Sequence, residues 1–366
     1  MTKQFRVLAL AGDGVGPEIM EEALRIIEAT SRDLGIYIEI EEDLIHGQCW
    51  ERYGTFCRDE TVAKAKKSDA VLVGAVGGER WDSLLPDGTP DKKDGLMRLR
   101  MELDVYAGLR PAWATDCLLG STAFRPESIR GTDIIVLREL CGGTFFGEPR
   151  GIEKLEGNNQ LGIDTTLYTS EEIERHARVG FELASRRKKK LVSADKANVM
   201  ESGVLWRKVI TEIGREFPDV ELLHLYTDNC AYQLASNPRQ FDVIITDNLF
   251  GDILSDLAGA LAGSLGMLPS ASLNGLTVNA ETRKPGIFEP VHGTAPDLAG
   301  QGTVNPLAMI LTVGMMYEYG FDLPGASQRL RRSVETALKQ GIRTRDLGGE
   351  ASTREMTDAV IEAWRQ

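Results

Sequence analysis

A short apolar segment that runs into an amphipathic helix is the feature that most constrains the fold of this chain. Residues 241–245 form an apolar run of strand length that ends at Thr246. Beyond it the apolar residues recur at three- and four-residue steps, the period of a helix: Ile253, Leu254, Leu257 and Leu261. The segment therefore predicts a buried strand followed directly by a helix, a building unit of α/β folds.

Two acidic residues lie on one face of this predicted helix. Asp252 and Asp256 are four residues apart, so their side chains are neighbours one helical turn apart. Like charges at this spacing weaken an isolated helix slightly, which favours a cation between them. Considered alone, such a pair is typical of a solvated helix face. The rest of the chain has to decide between a wet surface and a cation site.

Length and charge exclude several classes of function. The chain has 366 residues, enough for a large core and two lobes, and its net charge is -13. A strongly acidic protein is a poor partner for nucleic acid or anionic membranes, so an anionic substrate needs a local basic pocket. No apolar run reaches the roughly 18 residues of a membrane span. The N-terminus begins without a leader pattern, and we expect a soluble, cytoplasmic protein.

The five cysteines indicate a reducing compartment. They lie far apart and contain no CxxC pair, so they provide no zinc framework: Cys49, Cys57, Cys117, Cys141 and Cys230.

The N-terminal glycines resemble a dinucleotide-binding turn but have the wrong spacing. Residues 5–11 are apolar, and Gly12, Gly14 and Gly16 follow before a helical pattern. This is GxGxG followed by proline, not GxGxxG, and no acidic residue is clearly placed about 20 residues later. The segment predicts a strand-to-helix turn of an α/β fold, and its role toward phosphates stays open.

Three arginines follow or close apolar segments in the first half of the chain. Arg100 and Arg110 bracket residues 100–110, and Arg138 ends the apolar run 134–137. One such arginine is typical of a surface ion pair. Three at the ends of apolar strands are better explained by a dicarboxylate or tricarboxylate that they hold bidentately. Lys196, which follows the strand pattern 191–195, is either solvent-facing or, beside a metal, a base.

The chain contains further loop patterns and no interdomain linker. Residues 85–94 are polar and predict a lid-like loop, and the small residues of 263–272 and 286–297 predict two more loops. Residues 307–366 are mostly helical in pattern. Without a low-complexity tether, the two lobes are expected to share one continuous sheet.

Six motifs in collinear order resemble those of one enzyme family. They are GDGVGPE (12–18), LRMELDVYAGLRP (99–111), RELCGGTFFGEPRG (138–151), DKANV (195–199), GDILSDLAG (251–259) and EPVHGTAPDLAG (289–300). Together they resemble the β-decarboxylating dehydrogenases of 3-substituted malates, and most closely the 3-isopropylmalate dehydrogenases. The resemblance implies a two-lobed α/β fold with a central mixed sheet flanked by helices, not a Rossmann fold. It implies a cofactor lobe from residues 1–105 and 263–366, and a substrate, metal and dimerisation lobe from residues 106–262.

The resemblance also implies the site residues. Arg100, Arg110 and Arg138 would hold the substrate's carboxylates, and Leu96 and Met97 would line its 3-substituent. Asp228, Asp252 and Asp256 would bind Mg²⁺ or Mn²⁺, with Lys196 as the base. Lys196 and Asp228 would reach across a homodimer into the partner's site. The adenosine loop and the residue beside adenine would be His292, Gly293, Thr294, Ala295, Pro296, Asp297 and Asn305. Asp297 would favour NAD over NADP by repelling a 2′-phosphate.

Two positions depart from the family pattern. Phe145 stands where the family carries the tyrosine credited with protonating C3, and Lys93 stands where a glutamate near the nicotinamide is usual. The apolar Leu96 and Met97 favour a hydrophobic 3-substituent over the extra carboxylate of isocitrate. We therefore expect NAD-dependent oxidative decarboxylation of (2R,3S)-3-isopropylmalate to 2-oxo-4-methylpentanoate, a step of leucine biosynthesis. The alternatives are a paralogue for a bulkier analogue such as benzylmalate, and a catalytically impaired binding or regulatory subunit.

Overall fold

The computed structural model describes residues 3–82, 94–276 and 284–366. Its strands are β1 Lys3–Gly12, β2 Ile36–Asp43, β3 Ala70–Ala75, β4 Ala107–Trp113, β5 Asp133–Glu139, β6 Gly147–Lys154, β7 Gln160–Thr165, β8 Lys190–Asp195, β9 Glu221–Tyr226, β10 Val243–Thr246, β11 Pro269–Leu273 and β12 Gly286–Pro290. Its helices are α1 Gly16–Leu34, α2 His46–Tyr53, α3 Asp59–Lys67, α4 Glu79–Asp82, α5 Gly95–Leu103, α6 Pro126–Ile129, α7 Ser170–Ser185, α8 Glu201–Gly214, α9 Thr227–Ser236, α10 Asn248–Gly259, α11 Leu307–Met315, α12 Pro324–Lys339 and α13 Thr353–Arg365.

Ten of these strands form one mixed sheet in the order β2-β1-β3-β12-β11-β4-β5-β10-β8-β9. The first four strands are parallel to one another, as are the last four. Strands β11 and β4 join the two groups through antiparallel pairs, so the two parallel groups run in opposite directions. Strands β6 and β7 form a separate two-stranded antiparallel arm.

Helices cover both faces of the sheet, as the near-continuous apolar runs of its parallel strands require. The largest core cluster lies on one face, between the sheet and helices that include α1, α7, α11, α12 and α13. Two smaller clusters lie on the other face, one under the helices near β1 and β3 and the other under α10. This second face is divided between the two ends of the sheet.

The pleat of the sheet directs three charged side chains to that second face. Leu109, Leu137 and Phe288 belong to the largest core cluster on the first face. Successive side chains of a strand point to opposite faces, so the next residue along each strand points away from that core. These residues are Arg110, Arg138 and Glu289. They therefore meet over the central strands, between the two smaller clusters.

The structure confirms the α/β fold with one continuous mixed sheet. In strand order, the strands from residues 1–105 and 263–366 occupy one end of the sheet and those from 106–262 the other. The assignment of a cofactor lobe and a substrate lobe to these ends stays a prediction. No helix in the described ranges is long and apolar enough to cross a membrane.

Two predicted loops were partly wrong. Residues 263–272 contain most of β11, and residues 286–297 begin with β12, so two central strands were read as loops. Both strands are buried throughout, but β11 consists mainly of proline and serine, and Gly286 and Pro290 end β12 on either side of only three residues, so neither gives a clear strand signal. Of the predicted lid at residues 85–94, residues 85–93 lie outside the described residues. Lys93 is one of them, so its role stays untested.

Candidate active site

Arg138 is held against α10, the helix that carries Asp252 and Asp256. Its Nε donates to Asn248 Oδ1 at 3.0 Å, and its Nη1 forms an ion pair with Asp252. Both partners lie on α10, which begins at Asn248 with Asp247 as its N-cap. A Cβ on Gly251 would lie 2.6 Å from Arg138 Cγ, so glycine is required there for this close approach. In this chain, the cation that contacts Asp252 is the guanidinium of Arg138.

Arg110 lies in the same cluster, and its side chain has no hydrogen-bond partner among residues 3–82, 94–276 and 284–366. It is half-buried on β4. Burial lowers its pKa, and the nearby charge of Arg100 lowers it further, whereas Glu289, Asp252 and Asp256 act in the opposite direction. Burial, with Arg110 beside it, lowers the pKa of Arg138 to about 10. Like charges brought together out of water are costly, so this cluster favours an added anion.

Arg100 reaches the cluster from α5 and forms an ion pair with Glu289 of β12. Both side chains are nearly buried, at 13% and 10% exposure. Burial opposes the charged form of Arg100, but Glu289 more than compensates, and the pKa of Arg100 is raised. Its Nε is buried without a partner in the described residues. Glu289 therefore balances part of the charge of Arg100 before any ligand binds.

The turn that carries Phe145 packs on this cluster. The centre of the Phe145 ring lies 5.7 Å from the guanidinium carbon of Arg138, within cation–π range. The turn is shaped by Glu139, whose carboxylate accepts the N–H groups of Cys141 at 2.9 Å and Gly142 at 2.7 Å. Burial raises the pKa of Glu139 to about 7, against the effect of these two hydrogen bonds. Phe145 thus faces the arginine site and offers it a ring without a hydroxyl.

Leu96 and Met97 lie on α5, the helix that also carries Arg100. Asp94 caps the start of α5, where its Oδ1 accepts the backbone N–H groups of Leu96 at 2.9 Å and Met97 at 2.8 Å. This cap fixes the first turn of the helix from which Arg100 projects one and a half turns later. Leu96 is buried and Met97 is half-buried.

The predicted metal ligands do not meet within one chain. Asp252 is 45% exposed and Asp256 is exposed, both on α10. Asp228, at the start of α9, forms an ion pair with Lys196 instead, and this pair lies after the ends of β9 and β8. Across the described ranges, no three histidine, cysteine or acidic side chains converge as a metal site would require. One chain therefore supplies two carboxylates and, separately, the Lys196–Asp228 pair.

A cavity of about 430 Å³ lies beside the predicted adenosine loop. Apolar side chains of Val15, Leu265, Leu298 and Val304 form much of its wall. Of the predicted residues, His292, Gly293, Ala295 and Asn305 line it, and Thr294, Pro296 and Asp297 do not.

Two polar residues of this cavity, His292 and Asn305, are fixed by their surroundings. Burial lowers the pKa of His292, which keeps the ring neutral, and its Nε2 is buried without a partner in the described residues. Asn305 Nδ2 donates to Asp346 at 2.9 Å, and Asn305 Oδ1 accepts from Leu307 N at 3.0 Å, so its amide is fixed. Its close approach requires glycine at Gly266, where a Cβ would lie 2.8 Å from Asn305 Nδ2.

Reasoning from sequence missed some residues and misplaced two. Arg100 lies on a helix and Arg110 within a strand, so only Arg138 is near the end of its strand. Glu289, Asn248 and Asp346 were not predicted to belong to the site. Glu289 begins the EPVHGTAPDLAG motif and Asn248 precedes the helix of the two aspartates, so proximity to a motif was the available signal. Asp346 gave no such signal, because it is separated from Asn305 by 41 residues.

Residues 6–360 match the family model described as "Isocitrate/isopropylmalate dehydrogenase". The chain belongs to this family. The match covers nearly the whole sequence and includes every residue of the candidate site. The chain is therefore a β-decarboxylating dehydrogenase.

Two relatives with high identity carry the same name, and two similar solved structures share the fold. The chain is 47% identical over 364 residues to the 3-isopropylmalate dehydrogenase of Aquifex aeolicus, covering 98% of this chain and 97% of the relative. It is 50% identical over 360 residues to that of Ruegeria pomeroyi, covering 97% of each. The isocitrate dehydrogenase structure from Methylococcus capsulatus is 30% identical, with a TM-score of 0.86 and coverage of 99% and 100%. A β-decarboxylating dehydrogenase from Thermococcus kodakarensis is 32% identical, with a TM-score of 0.79 and coverage of 99% and 96%.

Proposed function

We propose that this protein is an NAD-dependent and Mg²⁺- or Mn²⁺-dependent dehydrogenase that oxidatively decarboxylates 3-isopropylmalate. The products are 2-oxo-4-methylpentanoate and CO₂, the reaction that the names of its relatives indicate. The observation that carries the proposal is the cluster of three arginines over the central strands beside Asp252 and Asp256. A ligand with more than one carboxylate can bind several guanidinium groups at once.

The adenosine cavity fits NAD. An aromatic base would fill a space bounded by aliphatic side chains, and the unpartnered Nε2 of His292 and the fixed amide of Asn305 offer hydrogen bonds at its edges. Asp297 is exposed on the same loop, where its charge would disfavour a 2′-phosphate.

The acidic residues fit a hard divalent cation but are incomplete in one chain. Asp252 and Asp256 present oxygen donors one turn apart, which suits Mg²⁺ or Mn²⁺. In the proposed homodimer the third carboxylate is Asp228 of the partner subunit, and the base is the partner subunit's Lys196. The exposed apolar side chains support a homodimer, because several lie on the two-stranded arm and on α9 and α10: Ile152, Leu161, Tyr232 and Ile253.

In the proposed reaction, the arginine cluster orients the substrate. Arg100, Arg110 and Arg138 bind its two carboxylates, and Leu96 and Met97 pack on the isopropyl group. The partner subunit's Lys196 receives the proton of the C2 hydroxyl as the C2–H bond breaks. Bound NAD⁺ would accept the hydride from C2, and a bound divalent cation would stabilise charge on the C2 oxygen. The C3–carboxylate bond then breaks to release CO₂, and a proton is added at C3.

Phe145 has no hydroxyl, so it cannot donate the proton that C3 receives, and the donor here differs from the tyrosine of the family pattern. The ring contacts Arg138, so it is part of the substrate pocket and favours a bulkier 3-substituent such as benzyl as the second candidate. The substitution Phe145→Tyr separates the two cases. It accelerates turnover of 3-isopropylmalate if a hydroxyl is merely missing, and it slows turnover of the preferred substrate if the ring belongs to a specialised pocket.

A panel of 3-substituted malates tests the proposal. Purified protein with Mn²⁺ and NAD⁺ should form NADH fastest with 3-isopropylmalate, and EDTA should abolish the signal. A preference for benzylmalate would replace the substrate but keep the reaction. Absence of turnover with every member of the panel would refute an enzymatic function and leave a binding or regulatory subunit.

A further inference from the structure

A buried histidine in an unusual backbone conformation lies between two carboxylates near the candidate site. His46, the first residue of α2, has φ 55°, in the left-handed region where residues other than glycine are uncommon. Its side chain is 5% exposed, and its ring stacks on Phe56 with the ring centres 4.6 Å apart. The Nδ1–H donates to Asp13 Oδ2 at 2.9 Å, and Nε2 faces Asp94 Oδ2 at 3.7 Å.

The first carboxylate belongs to the turn that supports the adenosine cavity. Asp13 lies in the glycine turn after β1, and the next residues of that turn contact the predicted adenosine loop. Val15 N donates to Thr294 O at 2.9 Å, and Val15 also lines the cavity. A Cβ on Gly14 would lie 2.1 Å from Thr294 O, so turn and loop are in close contact. A displacement of the adenosine loop would therefore be felt at Asp13.

The second carboxylate belongs to the helix that supports the substrate residues. Asp94 Oδ1 caps α5, and its other oxygen faces His46. The same helix carries Leu96, Met97 and Arg100. The imidazole thus lies between the two sides of the site, with a hydrogen bond to Asp13 on the cofactor side and a 3.7 Å approach to Asp94, longer than a hydrogen bond, on the substrate side.

Stability alone gives little reason for a histidine at this position. A left-handed backbone at a non-glycine residue is strained. Asp13 already accepts backbone N–H groups from Gly47, Gln48 and Gly77 at 3.2, 3.1 and 3.2 Å. Asp94 already has its role as helix cap. What the imidazole adds is the connection between them, and strained conformations of this kind concentrate at functional sites.

We propose that His46 is a positioning residue that couples occupancy of the dinucleotide cavity to the grip of α5 on the substrate. The inference rests on the function proposed above. Binding of the adenosine moiety fixes the loop and the turn of Asp13, and His46 passes this restraint to Asp94 and the start of α5. Substrate therefore binds more tightly when the dinucleotide is present, and the dinucleotide binds more tightly with substrate by the same factor.

Two substitutions remove the connection without opposing the backbone. His46→Gly relieves the left-handed strain, and His46→Asn tolerates it but is too short to span both carboxylates. His176→Gln is the matched control, because His176 is also fully buried but, among the residues that the structure describes, its side chain hydrogen-bonds only the backbone carbonyl of Leu137, at 3.4 Å.

Titration calorimetry measures the coupling directly, as the affinity for 3-isopropylmalate with Mn²⁺ in the presence and absence of NADH. We expect a coupling factor of about fivefold or more in the wild type, within the usual range for coupled sites. It should fall toward one in both His46 variants, with a raised KM for substrate and a smaller change in kcat, while His176→Gln keeps it.

The outcomes separate this inference from the proposed function. Equal coupling in the wild type and both His46 variants would overturn the inference and leave the proposed function intact. Loss of coupling in His176→Gln as well would also overturn it, because any buried histidine would then have the same effect. If the wild-type protein neither binds nor oxidises 3-isopropylmalate, the proposed function and this inference fail together.

Discussion

The buried carboxyl of Glu139 should make the stability of this protein unusually sensitive to pH. Glu139 is fully buried beneath the turn of Phe145, and burial raises its pKa from the ordinary 4.5 to about 7. Each pH unit between the folded and unfolded pKa corresponds to about 1.36 kcal/mol, so the full difference is about 3 kcal/mol.

The direction of the effect follows from proton binding. Between pH 4.5 and about 7 the folded protein holds a proton on Glu139 that the unfolded chain has lost. The free energy of unfolding therefore contains a contribution that is complete below pH 4.5 and disappears as the pH rises through 7. Glu139→Gln cannot titrate, so it should lack this contribution at every pH. Gln still offers an oxygen to Cys141 N, but its amide nitrogen cannot accept from Gly142 N, which adds a loss that does not depend on pH.

Urea denaturation of the wild type and Glu139→Gln at pH 5 and pH 8 isolates this contribution. The stability difference between wild type and variant should be larger at pH 5 than at pH 8, by about 3 kcal/mol at most. Glu153→Gln, at an exposed position of β6, is the control and should show no such change. A stability difference for Glu139→Gln that is equal at the two pH values would refute the reasoning, because Glu139 would then be ionised in the folded protein at both.

Two further substitutions test the substrate and cofactor pockets. Arg138→Lys keeps the charge but cannot hydrogen-bond Asn248 and Asp252 together. The KM for substrate should therefore rise about 10- to 100-fold, as the loss of a charged hydrogen bond implies. An unchanged KM in initial-rate assays would show that Arg138 does not bind the substrate. Gly266→Ala places a methyl group 2.8 Å from Asn305 Nδ2, so the KM for NAD⁺ should rise about tenfold while that for substrate stays constant. Gly325→Ala, where a Cβ meets nothing within 4 Å, is its control, and an equal effect of both changes would contradict the assignment.

The parts of this site that the sequence predicts are those in which spacing along the chain fixes position in space. Asp252 and Asp256 share a helix face because they are four residues apart, and the helix was recognisable from its apolar period. The residues that the sequence did not predict depend on contacts between distant segments. Arg100 meets Glu289 across 189 residues, which no local pattern encodes.

The two missed strands show the same limit. Strands β11 and β12 are central and buried, but proline and serine make up most of β11, and β12 is a short segment between Gly286 and Pro290, so local propensity gives little strand signal. Pairing with β3 and β4 determines their conformation, and that pairing is tertiary information. It is also what brings Glu289 beside the arginines, so the missed strand and the missed site residue have one cause.

The proposed sharing of residues between subunits predicts that two inactive variants can restore each other's activity. Lys196→Ala removes the base that a chain lends to its partner, and Asp252→Asn removes a ligand that a chain keeps for its own site. In a mixed dimer, the subunit with intact Asp252 would face the partner subunit's intact Lys196, so one of the two sites would be complete. Random assembly makes half of the dimers mixed, and co-refolding of equal amounts should restore about a quarter of wild-type activity. If Lys196 served its own chain, neither subunit of the mixed dimer would be complete and the mixture would stay inactive, which would overturn the shared site.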